Sequence, residues 1–187
     1  MDHRQDQPAL PASVDGQGCS GTPEQGEHSA CCAHAAARAS QAPLALARAK
    51  ALCVSRGQRL TPIRSLVLSA LYTDHRPLSA YDLIERLSAA DGQKRAAVSI
   101  YRALDFLIAQ GLAHRLESRN AFIACPQDHA PDDLVLFMIC TQCGGVDEVH
   151  TPEIAQALDQ LAQRHGFQSI VRMLEVEGRC AHCRHQA

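Results

Sequence analysis

Residues 97–125 read AVSIYRALDFLIAQGLAHRLESRNAFIAC, and this stretch decides the fold. Its first half sets Ile100, Leu104, Leu107 and Ile108 at helical spacing, one apolar stripe on a helix over roughly 97–110. Gly111 is a stop signal, and the period then changes. Leu112, His114 and Leu116 alternate with other residues, Ser118-Arg119-Asn120 are turn formers, and Ala121 to Cys125 return as a second strand.

Upstream, the reading is helical. Leu44 to Ser55 is Ala-rich and is followed by Gly57. Thr61-Pro62 offers an N-cap and a first-turn Pro to a helix with Ile63, Leu66, Val67, Ala70 and Leu71 on one face. Ser79 can cap a third helix whose inner face is Leu83, Ile84 and Leu87, and Asp91-Gly92 breaks it. Three or four helices followed by a hairpin outline a winged helix-turn-helix domain over 43–126.

Downstream, a hinge loop at 127–133 leads to a small second domain, 134–187. Leu134 to Cys140 reads as a strand, Gly144-Gly145 as a turn and Val146 to Val149 as a short return strand. Thr151-Pro152 starts a helix carrying Ile154, Ala157, Leu158 and Leu161 on one face, and Gly166 ends it. Ile170 to Val176 is a third strand leading to Cys180 and Cys183. The class is α+β. A core this thin gains from a metal staple or a dimer interface. Residues 1–42, rich in Ala, Gly, Gln, Ser and Pro, read as a disordered tail, although Cys19, His28, Cys31, Cys32 and His34 lie in it and can capture metal loosely.

The chain has 187 residues and a net charge of -2 that hides a division. Residues 1–42 carry -3, residues 43–120 carry +6, and residues 121–187 carry -5. A basic middle suits a polyanion and an acidic, Cys/His-containing end suits a cation. No apolar run approaches the ~20 residues of a membrane helix. The start, MDHRQDQPALPAS, lacks the basic and apolar segments of a secretory signal, so a cytoplasmic protein is expected. In that reducing setting the nine cysteines point to metal ligands or redox centres rather than structural disulfides.

Cys140-Thr-Gln-Cys143 and Cys180-Ala-His-Cys183 each place two thiolates on one tight turn, and together they complete a tetrahedral four-thiolate site suited to zinc. The competing reading is a redox dithiol. That motif sits beside a βαβ unit and a helix N-terminus, which neither pair is expected to do. A second, looser group is His114, Cys125, Glu148 and either Asp133 or His129, flanking the hinge. It offers a mixed nitrogen, sulfur and oxygen set, or else a satisfied His beside a buried Cys. On the fourth helix, Ser99, Tyr101 and Arg102 face outward with Lys94 and Arg95 just ahead. A helix N-terminus with a basic approach suits phosphate, and an exposed Arg can read a guanine edge; the bland alternative is a solvated helix face. Nothing pairs a nucleophile with a base and no Gly-rich loop cradles phosphate, so an enzyme with a small-molecule substrate is not expected.

These stretches carry a resemblance. Arg59-Leu-Thr-Pro with Arg64, Leu78-Ser-Ala-Tyr-Asp-Leu, Ile100-Tyr-Arg-Ala-Leu-Asp-Phe-Leu, Gly111-Leu-Ala-His-Arg-Leu-Glu-Ser, Phe122-Ile-Ala-Cys125, Phe137-Met-Ile-Cys-Thr-Gln-Cys-Gly and the terminal Cys180-Ala-His-Cys183 resemble, in order, the ferric uptake regulator family and within it the zinc uptake regulator subgroup. The resemblance implies a homodimeric, metal-activated repressor that binds pseudo-palindromic double-stranded DNA at zinc-uptake genes. It implies two zinc ions per monomer. One is structural, on Cys140, Cys143, Cys180 and Cys183. The other is regulatory, on His114, Cys125, Glu148 and a fourth ligand. It also places Tyr81 and Arg102 at DNA-contacting positions. Iron-, manganese- or peroxide-sensing siblings share the fold, and a zinc-storage protein without DNA affinity is a further alternative. Two residues depart from the pattern: Asp133 stands where the zinc branch commonly has His, and Val98 where Pro commonly precedes the Tyr-Arg pair.

Overall fold

The computed structural model describes residues 33–126, 133–169 and 173–184. Helices α1 (Ala33–Ser55), α2 (Pro62–Thr73), α3 (Ala80–Asp91) and α4 (Ala97–Ala109) precede a hairpin of β1 (Ala113–Leu116) and β2 (Ala121–Ala124). Strands β3 (Val135–Cys140) and β4 (Val146–Val149), helix α5 (Pro152–Arg164), strand β5 (Met173–Gly178) and the short α6 (Ala181–Arg184) follow.

α1 starts at Ala33 rather than Leu44, inside the stretch expected to be a tail. Residues 33–42, AHAAARASQA, include six alanines, the strongest helix former, and carry no apolar stripe to betray the helix. Pro43 lies within it, where its missing N–H removes one helical bond. The rest of the tail, with Cys19, His28, Cys31 and Cys32, lies outside the described residues. At Thr61 the capping position is right but the side chain makes no capping bond. Ser79 does cap: its hydroxyl accepts from Asp82 N, and Asp82 returns a bond to the Ser79 main chain, a reciprocal box. Leu66, expected inward, is exposed, while Leu68 and Tyr72 are buried in α2.

Ala45, Ala49 and Cys53 from α1 join Val67, Leu71, Leu83, Ile100, Leu104 and Leu107 in one helical core. The hairpin does not belong to it alone. Leu116 and Ile123 form a second core with Val135, Phe137, Ile139 and Val146, against which Met173 packs. The wing therefore bridges the helices and the C-terminal sheet.

That sheet has the order β4-β3-β5. β4 runs antiparallel to β3, but β5 runs parallel to it. Parallel neighbours need a crossover, which the segment containing α5 provides. Here the structure corrects the sequence reading: the first Cys pair begins at the last residue of β3, a strand of a parallel pair, and Cys180 directly precedes α6. α5 has no buried residue, and Ile154 and Leu161 are exposed.

Candidate metal centres and nucleic-acid interface

Two groups of metal-type ligands converge among the described residues. The first is Cys140, Cys143, Cys180 and Cys183, whose sulfur atoms lie within 4.8 Å of one another. β3 delivers Cys140, and Cys140 N donates to Gly145 O at 2.8 Å while Gly144 N donates back to Cys140 O at 2.9 Å, closing the first knuckle. Gly144 takes φ +73°, a left-handed conformation that disfavours side chains. Because β5 lies parallel to β3, Gly178 pairs with Cys140 and brings the second knuckle alongside the first.

Main-chain N–H groups point at the sulfurs. Gly145 N donates to Cys143 Sγ at 3.4 Å and Cys180 N to Cys140 Sγ at 3.4 Å. Burial pushes the Cys140 thiol up, but main-chain donors from Cys143, Cys180 and Gln142 outweigh it and bring the thiol down to about 6. Cys183 is pushed up to about 12, first by burial and then by its sulfur neighbours. Four sulfur ligands gathered around one point, with main-chain N–H groups aimed at them, make a site suited to a cation that binds their deprotonated forms.

The second group is His114, Cys125 and Glu148, again with ligand atoms within 4.8 Å. β1 carries His114, the residue after β2 is Cys125, and β4 carries Glu148. His114 Nε2 is 3.8 Å from Glu148 Oε2, and Cys125 Sγ donates to Glu148 Oε1 at 3.5 Å. His114 is 8% and Cys125 0% exposed, so a nitrogen, a sulfur and a carboxylate are gathered out of water. That set suits zinc better than the harder oxygen-preferring cations. The His114 ring meets Phe137 edge-on at 5.2 Å. Tyr72, a residue the sequence reading missed, donates its hydroxyl to Cys125 O at 2.6 Å and ties the site to α2. Its position on α2 gave no hint of a polar task. Asp133 does not join the three at ligand spacing, and His129 lies outside the described residues.

α4 presents Ser99, Tyr101 and Arg102 to solvent, and Tyr81 is 74% exposed at the start of α3. Arg102 and Ser99 border a shallow hollow with Thr61 and Arg64. Arg64 stacks its guanidinium 3.4 Å over Phe106. Lys94 is exposed. Arg95 is half-buried, pairs with Asp91, and accepts a fixed place through its N–H to Ser88 Oγ, so it is more a structural residue of the α3–α4 turn than an open contact.

A helical domain whose fourth helix has a polar outer face, a wing, and a sheet that meets that wing at a thiol–imidazole–carboxylate group define a metal-binding winged-helix protein. The sequence profile of the ferric uptake regulator family matches residues 55–177, and the chain belongs to that family. It is 36% identical over 138 residues to the zinc uptake regulation protein of Escherichia coli (strain K12), covering 74% of this chain and 80% of that one. It is 28% identical over 130 residues to the ferric uptake regulation protein of Neisseria meningitidis, covering 68% and 87%. Among solved structures, a zinc uptake regulator complexed with zinc and DNA superposes with a TM-score of 0.72 at 34% identity, over 78% of this chain and 96% of that one. Holo XcZur gives 0.68 at 38% identity, over 75% and 96%.

Proposed function

We propose that this chain is a zinc-responsive transcriptional repressor that binds pseudo-palindromic operators of zinc-uptake genes as a cytoplasmic homodimer. One observation carries the reading: His114, Cys125 and Glu148, from the wing and the C-terminal sheet, meet within 4.8 Å. In this reading they hold a regulatory zinc with a fourth ligand from the hinge loop, Asp133 or His129. Cys140, Cys143, Cys180 and Cys183 hold a structural zinc, giving two per protomer. Its parts are a winged-helix domain over 43–126, a hinge at 127–133 and a dimerisation and metal-binding domain over 134–187.

Zinc supplies the positive charge and tetrahedral preference that a thiolate, an imidazole and a carboxylate satisfy together. The protein supplies the rest. His114 and Cys125 sit on the wing, Glu148 on β4, so their closure fixes the wing against the sheet. Tyr72 and the helical core transmit that fixed position to α4. Two such protomers then hold two α4 helices at the separation of successive major grooves, with Arg102 and Tyr101 toward base edges and Tyr81, Ser99 and Lys94 toward backbone phosphates. Moving an open-to-closed mixture from 1:99 to 99:1 takes ~5.5 kcal/mol of differential affinity. Structural zinc sites reach apparent binding energies of ~10–16 kcal/mol, so one regulatory ion per protomer suffices when about half of such an energy is realised only in the closed state.

The test is binding to a duplex selected from a random-sequence pool by the zinc-loaded protein, measured while free zinc is buffered and total zinc per protomer is counted. Two zinc ions per protomer and operator binding that rises with occupancy of the second support the reading. Binding indifferent to free zinc defeats it.

A further inference from the structure

One cross-strand row of the C-terminal sheet faces the wing. Phe137 at the middle of β3 pairs with Glu148 on β4 and with Glu175 on β5. Directly paired residues share a face of a sheet, so Glu148, Phe137 and Glu175 form one line across it. The wing lies along that line. His114 and Cys125 stand at Glu148, the His114 ring at Phe137, and the wing turn at Glu175.

The contact at Glu175 is built for a carboxylate. Glu117 N donates to Oε1 at 2.8 Å, Ser118 N to Oε2 at 3.3 Å, and the Ser118 hydroxyl also bonds Oε2. Two residues further along β5, Glu177 pairs with Arg119 of the same turn at 2.7 Å. Successive main-chain N–H groups of a turn make an anion-binding concavity, and here a side chain of the other domain fills it.

We infer that Glu175 is a positioning residue for the regulatory site: it clasps the wing turn so that His114 and Cys125 are held over Glu148 before the cation arrives. The inference rests on the function proposed above. The clasp lies at the opposite end of the row from Glu148 and touches no ligand, so it acts through the wing as a rigid lever. Leu116, immediately before the turn, is locked in the shared core, and His114 is on the same face of β1 two residues earlier. Any free energy that the clasp contributes to the docked wing lowers the cost of gathering the three ligands, and by linkage filling the site strengthens the clasp.

The experiment compares the full-length parent with Glu175→Ala and Glu175→Gln. Zinc affinity of the second site is measured by chelator competition, and operator binding is followed as free zinc is buffered. Expected for Glu175→Ala is a midpoint about tenfold higher in free zinc, with operator affinity at saturating zinc within about threefold of the parent and the four-cysteine zinc retained. Glu175→Gln keeps two polar groups but loses the charge and falls between. Hydrogen exchange read at the Glu117 and Ser118 amides gives a measure independent of DNA: slow in the zinc-loaded parent and fast in Glu175→Ala. Unprotected amides in the parent, or a zinc midpoint that does not move in Glu175→Ala, overturn the clasp. A parent whose operator binding ignores zinc overturns the underlying reading instead, and the amide measurement still reports on the clasp by itself.

Discussion

Arg76 Nε donates a hydrogen bond to the main-chain oxygen of Cys143 at 2.9 Å, so the turn between α2 and α3 grips the first cysteine knuckle. The turn is prepared for it. Asp74 accepts from Arg76 N at 3.0 Å and from Arg86 at 2.7 Å, and although burial raises the Asp74 carboxyl, these donors hold it below its usual range. A Cβ on Gly144 stands 3.3 Å from Arg76 Cγ, so the missing side chain leaves room for the guanidinium to approach.

Arg76→Ala is expected to keep both zinc ions and weaken operator binding about three- to tenfold, since a bond from a charged donor contributes ~1.5–3 kcal/mol and part of it is recovered by water. Gel-shift titration at saturating zinc checks this. Unchanged affinity removes Arg76 from the link between the knuckle and the helices.

Cys125→Ser is expected to abolish zinc-dependent operator binding while leaving a folded dimer with the four-cysteine zinc in place. The hydroxyl is smaller than the thiol but fits the same space, and it is a poor partner for a borderline-soft ion. Circular dichroism, sedimentation and zinc counting establish the fold, the dimer and one remaining ion. Undiminished zinc dependence places the sensor elsewhere.

Zinc uptake by the metal-stripped four-cysteine site should release more protons per ion as pH falls from about 7.5 to about 5.5. The Cys140 thiol titrates at about 6, well below an ordinary cysteine, so it is ionised at the upper pH and must shed its proton at the lower. The same depression makes its contribution to the metal-free fold present above the unfolded thiol range and lost as pH falls through about 6. Calorimetry in buffers of different ionisation enthalpy, on the Cys125→Ser background, counts the protons. A flat release contradicts the assignment.

Arg102→Ala should cost ~1–3 kcal/mol of specific binding and leave binding to random duplex nearly unchanged. Arg102 projects from α4 into solvent, so the substitution leaves the core alone. Equal losses on operator and random DNA make it a phosphate contact rather than a base reader.

The helical half was legible because its apolar residues repeat at 3.6 and its ends carry punctuation: Ser79 with Asp82, and Asp91-Gly92, fell where the capping box and the left-handed Gly92 are found. The four cysteines could be seen as residue types at the right spacing, whereas His114, Cys125 and Glu148 stood out only through the family resemblance. What could not be read is whatever depends on how distant strands pair. The parallel pairing of β3 with β5 aligns Phe137 with Glu175, and neither local period nor composition encodes it. The same holds for Arg76 and Tyr72, whose partners are main-chain oxygens, which every residue possesses. The early start of α1 was hidden by alanine, which favours a helix without marking a face.

The wing places Leu116 and Ile123 among side chains of the C-terminal sheet rather than those of the helices that precede it. The two halves are consequently not interchangeable building blocks. A chimera that borrows its reading head from another winged protein must import matching aliphatic groups at these two points, or it will leave a greasy seam bare to solvent. Drift in one half is thereby answerable to the other.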